Sequence, residues 1–225
     1  MNTPAYIDLT HTLSLETPTW DGSCGFELSI KTDYEDCTAP DLFRVQKVTM
    51  NAGIGTHMDA PAHCIPNGKT IDALALADLI IDCVVIKTDH VSNEDQCITV
   101  DVIEKFESTY GKIQEGTFVL FYTGWDRHWG DKIKYQNNFI FPSVHEETAT
   151  LLLKRNISGI GIDTLSADTG KNGFPVHNLI LGAGKYLVEN VANAKDLPET
   201  GFKIAILPMK IGEGTEAPIR LVAFV

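Results

Sequence analysis

The chain has 225 residues, 44% of them apolar and 21% charged, enough for one substantial hydrophobic core of the ordinary globular kind. Its 30 acidic against 18 basic residues leave a net charge of −12, which argues against nucleic acid or an anionic membrane as partner, since like charges would repel. No stretch reaches the ~20 apolar residues that span a bilayer, and Met1 to Thr10 lacks a basic segment followed by an apolar run, so no signal peptide is expected.

In chain order, Tyr6 to Leu9 reads as a strand leading into Thr10-His11, and Glu16 to Gly22 as a loop broken by Pro18 and Gly22. Phe43 to Met50 alternates apolar and polar residues, the pattern of a strand. Pro66-Asn67-Gly68 is a turn, Ala73 to Leu79 a short helical stretch, and Ile80 to Lys87 a continuous apolar strand of the buried type. Thr99 to Ser108 predicts a helix capped by Thr99. Thr117 to Tyr122 predicts another buried strand. Ser143 to Lys154 predicts a helix, with Ser143 and Glu146 three residues apart as a capping box. Gly159 to Asp163 is a strand, Val176 to Ala183 a helix, and Tyr186 to Val191 a strand, while Phe202–Pro208 and Pro218–Val225 close the sheet. There is no internal repeat or linker. The expectation is a single α/β domain over residues 1–225 with a mixed sheet. The five cysteines (Cys24, Cys37, Cys64, Cys83, Cys97) are scattered and odd in number, which predicts reduced thiols and a cytoplasmic location. Cys83 and Cys64 read as packing residues.

The densest chemistry lies in Gly55-Thr56-His57-Met58-Asp59-Ala60-Pro61-Ala62-His63. First-row metals favour this mixture of imidazole and carboxylate donors. On an extended segment His57, Asp59 and His63 share parity and so one face. A lone His-x-Asp is more often a hydrogen-bonded pair than a metal site. Gly-Thr before it, Pro61 after it and the second imidazole favour the metal reading. Downstream, Phe174 to His177 and Val188-Glu189-Asn190 offer one His and one Glu. Glu189 sits among Tyr186, Leu187, Val188 and Val191, so it either points outward or has a cation, because an unpaired buried carboxylate is costly. Asp163 ends an apolar strand, where it can cap a turn or orient a ligand. His90, His128 and His145 read as surface or loop residues.

These motifs resemble the metal-dependent cyclase family, which includes bacterial kynurenine formamidases and isatin hydrolase. The similarity extends to Asp8-Leu9-Thr10, Pro18-Thr19-Trp20, Thr123-Gly124-Trp125, Gly161 to Thr164, and Pro208 to Lys210 with Pro218-Ile219-Arg220. The resemblance implies a partly barrel-like mixed sheet flanked by helices, of the swivelling β/α/β type. It implies hydrolysis of amides, lactams or lactones with Zn²⁺ or Mn²⁺, one or two ions per subunit, in a homodimer or homotetramer acting on a small molecule. Carried over by position, His57 and Asp59 are first-metal ligands, and Asp59 bridges to a second metal held by His177 and Glu189. His63 is the general acid/base, and Trp20 and Phe43 are pocket walls.

One position departs from that pattern. The family motif usually carries a further histidine two residues before the Gly-Thr, where this chain has Gly53. Water, Asn51 or His11 can complete the shell, the enzyme can work with one metal or an asymmetric centre, or activity can be weak. The leading function is cleavage of a carbon–nitrogen amide bond in an aryl formamide such as N-formyl-kynurenine. The alternatives are an isatin-like lactam or lactone hydrolase, and a catalytically weak metal- or small-molecule-binding homologue.

Overall fold

The computed structural model describes residues 5–90, 94–171 and 173–225. Its strands are β1 (Tyr6–Asp8), β2 (Phe26–Thr32), β3 (Val45–Met50), β4 (His57–Asp59), β5 (Ile80–Lys87), β6 (Cys97–Ile98), β7 (Phe118–Tyr122), β8 (Ser143–Val144), β9 (Gly159–Ile162), β10 (Tyr186–Glu189), β11 (Phe202–Pro208) and β12 (Glu216–Phe224). The α-helices are α1 (Val100–Tyr110), α2 (Lys132–Gln136), α3 (Glu146–Lys154) and α4 (Pro175–Gly182).

Seven strands close into a barrel in the order β12-β11-β5-β7-β9-β10-β4, with β4 pairing back onto β12. Closure depends on the length of β12. One of its edges pairs with β4 through Glu216 to Pro218 and with β1 through Val222 to Phe224. The β5·β7, β7·β9 and β9·β10 pairs are parallel, and the other barrel pairs are antiparallel. Parallel neighbours need a long crossover, and α1, α3 and α4 occupy those three connections. The mixed, barrel-like α/β architecture expected from the sequence is the one observed.

Period-two alternation divides the core into two layers. In β7, Phe118, Leu120 and Tyr122 point into the barrel, while Val119 and Phe121 point out under the helices. Both faces are covered, so the strand is apolar throughout. Removing a side chain such as Leu120 from water is worth about 1.5–3 kcal/mol, and it is fully buried. The outer layer is sealed by Ile103 and Phe106 of α1, Leu152 of α3 and Ile180 of α4.

Several local expectations need correction. Residues 73–79 form no continuous helix but lie in two single 3₁₀ turns, Ile71–Ala73 and Leu76–Asp78. The helix expected from Ser143 starts at Glu146, because Ser143–Val144 pairs with Cys97–Ile98 as a short parallel ladder. His145 therefore takes the capping position and accepts from the Glu147 amide, so it is not an idle surface residue. The predicted strand at 43–50 is β3, but it pairs only with β2, which the sequence reading missed. This two-stranded hairpin is separate from the barrel and leaves Leu28, Ile30, Phe43, Val45 and Val48 exposed. Among the described residues no helix is long and apolar enough to cross a membrane, and the five cysteines are unpaired.

Candidate metal centre

The outer face of the barrel is apolar beneath the helices but changes character across β10, β4 and β12. In β10·β4, Glu189 stands opposite His57, and in β4·β12, Glu216 stands opposite Asp59. Met58, Val188 and Ala217 point into the barrel. Alternation therefore sends His57, Asp59, Glu189 and Glu216 to the opposite face. Three adjacent strands thus present two acids, an imidazole and a third acid as one patch, and His177 reaches it from α4.

His57 Nε2 lies 3.5 Å from Asp59 Oδ1 and 3.6 Å from Glu189 Oε2. His177 Nε2 lies 3.6 Å from Asp59 Oδ2 and 3.3 Å from Glu189 Oε1. Each carboxylate spans the two imidazoles. Donor atoms of His57, Asp59 and Glu189 fall within 4.8 Å of one another, as do those of Asp59, His63 and His177, so Asp59 belongs to both groups. The geometry joins all four residues that the sequence nominated as metal ligands.

Both rings are held with Nε2 facing the cluster. His57 Nδ1 donates to the Gly55 carbonyl at 2.8 Å, and Asn190 Nδ2 donates to the same oxygen. Gly55 adopts φ +61°, and a Cβ there would meet Leu13 Cδ2 at 2.4 Å, which explains the glycine. Thr56 anchors the turn by donating its hydroxyl to the Asn190 carbonyl. His177 Nδ1 donates to Asp168 Oδ2 at 2.7 Å. Asp168 also accepts from the Val176 and His177 amides, so one carboxylate caps α4 and orients its histidine. Hydrogen bonds of this kind fix the ring of a metal-binding histidine and raise its basicity.

A divalent cation fits these residues. Asp59 is 1% exposed and its Oδ1 has no hydrogen-bond partner. An orphaned buried acceptor of this kind costs about 1–3 kcal/mol, and more when charged. Burial opposes charge on His57, but Asp59 and Glu189 outweigh it and raise the ring's pKa. Burial likewise opposes charge on His177, but Asp168, Asp59 and Glu189 raise it. Protons and a cation therefore compete for the same nitrogens.

His63 approaches by a route the sequence parity did not show. The chain leaves β4 at Asp59 and turns through a 3₁₀ segment, Pro61–His63, so no extended strand carries the second imidazole. Its side chain is 33% exposed, and Nδ1 lies 3.3 Å from Glu216 Oε2. That contact raises the His63 pKa against a smaller opposing effect of burial.

These groups line a cavity of about 260 Å³ whose far wall is aromatic. Trp20 is in that wall as expected, packed 5.6 Å from Phe174, a wall residue the sequence reading missed. Phe43 does not line this cavity: it lies exposed by the hairpin. Cys64 lines the cavity and packs against the outer core. Asp163 proves to be a turn cap. It accepts from the Thr123 amide and hydroxyl and the Trp125 amide. Burial, opposed by the Thr123 bonds, pushes its carboxyl up to about 7. Neither Asn51 nor His11 reaches the space beside Gly53. Asn51 lies next to Gly25, and His11 stacks on Trp129 at 3.9 Å, where burial pushes its imidazole down to about 4. That space is filled by Glu216, whose Oε1 would be 2.0 Å from a Cβ at position 53.

Chelator treatment is expected to lower Tm, and returning Mn²⁺ or Zn²⁺ at 100 times Kd to restore about 2.7 kcal/mol. Because the histidine pKa values are raised, protons block the nitrogens at low pH, so the affinity should rise from pH 6 to pH 8. A Tm indifferent to chelator and metal at both pH values would contradict the assignment.

The model of the putative cyclase family matches residues 7–169. Isatin hydrolase from Roseibium aggregatum is 32% identical over 76% of this chain and 71% of its own length. Kynurenine formamidase from Geobacillus thermodenitrificans is 27% identical over 96% of this chain and 95% of its own. The solved structure of isatin hydrolase A from Ralstonia solanacearum superposes with a TM-score of 0.90 at 30% identity, covering 99% of this chain and 92% of that one. With the donor cluster, these likenesses show that the chain belongs to the cyclase family of metal-dependent hydrolases.

Proposed function

We propose that the enzyme hydrolyses the carbon–nitrogen bond of an aryl amide, with an aryl formamide such as N-formyl-kynurenine as the first candidate, in tryptophan catabolism to kynurenine. The observation that carries this reading is the buried Asp59 carboxylate, set between two imidazoles with its Oδ1 partnerless, beside an aromatic wall. The inner groups suit a cation, and Trp20 and Phe174 suit a flat ring. A second reading, opening of an isatin-like lactam or of a lactone, is favoured by the likeness to isatin hydrolases in sequence and structure. Both reference compounds, N-formyl-kynurenine and isatin, carry the scissile nitrogen on an aromatic ring.

His57, Asp59, His177 and Glu189 are the proposed ligands of Zn²⁺ or, alternatively, Mn²⁺, as one or two ions per subunit. When bound, such an ion supplies Lewis acidity and lowers the pKa of water from 15.7 toward ~7. The remaining work falls to the chain. Trp20 and Phe174 hold the aryl group. His63 takes the proton that water releases on adding to the carbonyl and delivers it to the departing nitrogen. A formamide then yields formate and an arylamine, and a lactam yields an amino acid. Acid/base work of this kind contributes ~10²–10⁴-fold. Glu216 keeps the His63 ring directed at the cavity.

We further propose that the chain is a homodimer or homotetramer. An isolated two-stranded hairpin is marginal in water, and β2–β3 exposes Leu28, Ile30, Val45 and Val48, with Phe43 beside them, an apolar face that a second copy would cover. In such an assembly Phe43 can wall a neighbour's pocket rather than its own.

Metal-loaded enzyme incubated with N-formyl-kynurenine and, separately, isatin is expected to release formate from the first or open the ring of the second. Turnover of neither would contradict the proposal. His63→Ala is expected to bind metal like the wild type and to lose ~10²–10⁴-fold in kcat, whereas an unchanged kcat would remove His63 from the chemistry. Light scattering is expected to show twice or four times the 24.7 kDa chain mass. A monomer at micromolar concentration would refute the assembly.

A further inference from the structure

We infer that Glu216 is itself a ligand of the centre and supplies the donor that position 53 cannot. This rests on the proposed reading of the cluster as a divalent-metal site. A Cβ built on Gly53 would lie 2.0 Å from Glu216 Oε1, 3.0 Å from its Cδ and 3.4 Å from His57 Nε2. A side chain at position 53 would thus enter the donor set beside His57, and the Glu216 carboxylate already fills that volume. A residue with a Cβ at 53 would require the Glu216 carboxylate to move from its present position.

Backbone register fixes the placement. Glu216 pairs directly with Asp59 across β4·β12 and shares its outward parity. Its carboxylate lines the same cavity as Gly53, His57, Asp59 and His63. The two oxygens have separate neighbours. Oε2 faces His63 Nδ1 at 3.3 Å, while Oε1 faces Gly53 on the His57 side. A carboxylate with one oxygen on an acid/base imidazole and the other toward the cation couples the two.

The ligand set then contains three carboxylates (Asp59, Glu189, Glu216) and two imidazoles (His57, His177). Oxygen-rich sets favour harder ions, which shifts preference from Zn²⁺ toward Mn²⁺ relative to a set with a third imidazole.

Titration calorimetry of chelator-stripped protein with Mn²⁺ and with Zn²⁺ tests this without an activity readout. Wild type is expected to bind Mn²⁺, and Glu216→Gly to bind it at least about tenfold more weakly. The double variant Gly53→His/Glu216→Gly is expected to recover affinity, more for Zn²⁺ than for Mn²⁺. Recovery separates a ligand from a residue that merely positions His63, since the double variant also lacks the His63 contact. Should Glu216→Gly not fold, Glu216→Gln, nearly the same shape without the charge, is expected to lose Mn²⁺ affinity in the same direction. Wild-type affinity in the Glu216 variants, or no recovery in the double variant, overturns the inference while leaving the four-residue centre intact. A wild type that binds neither ion overturns both.

Discussion

Acidic side chains are packed on a buried face of the barrel, and the rest of the site is arranged around that fact. Asp59 and Glu189 are 1% and 5% exposed. Isolated ionised carboxylates in such surroundings are strongly unfavourable. Protonating His57 and His177 can offset the charge, but a protonated imidazole cannot ligate. A divalent cation resolves the conflict differently: it neutralises the acids and leaves both rings neutral. Paired acids bridging paired imidazoles make a mixed nitrogen and oxygen donor set suited to a divalent first-row metal.

Rigidity comes from the barrel and from the shell behind the donors. Each of β4 and β10 contributes only a few residues, yet both are locked by neighbours on either side. His57 is tied through Gly55 and Asn190 to the Tyr135 hydroxyl, which lies 2.9 Å from both the Asn190 amide oxygen and the Asp163 carbonyl. His177 is tied to Asp168, which also begins its helix. Side chains fixed in this way stay in place before substrate arrives, the condition under which electrostatic stabilisation costs no reorganisation. His63 differs: it is the most open of the histidines at the site and sits on a single turn, suited to moving a proton at the cavity mouth.

Much of this was legible in the chain. Ile80 to Lys87 and Phe202 to Pro208 were read with the observed bounds, because short, mainly apolar runs broken only by Asp82 and Lys203 leave little freedom. The His57-x-Asp59 pair announced itself by spacing, and Glu189 by being an acid in an apolar run. Glu216 did not. It lies in a Gly- and Glu-rich stretch that reads as a solvated loop, and its place follows only from pairing with a strand 157 positions earlier, the separation of the Glu216↔Asp59 register. Asp168 was hidden for the same reason, since its service to His177 depends on a chain reversal between them. The β2 strand was missed although Phe26, Leu28 and Ile30 alternate with polar residues, a period-two signal that was there to be read; no residue of the strand is buried. The Ser143 capping box failed because a tertiary ladder with Cys97–Ile98 took those residues first.

The account depends on His57, Asp59, His177 and Glu189 holding a divalent cation. The most direct measurement is anomalous diffraction from crystals grown with Mn²⁺, collected on either side of the manganese edge. The account predicts a peak within ligand distance of His57 Nε2 or His177 Nε2, with an Asp59 oxygen in its shell. A well-ordered map with no anomalous density in that cluster, or with the ion bound only elsewhere on the molecule, would contradict it.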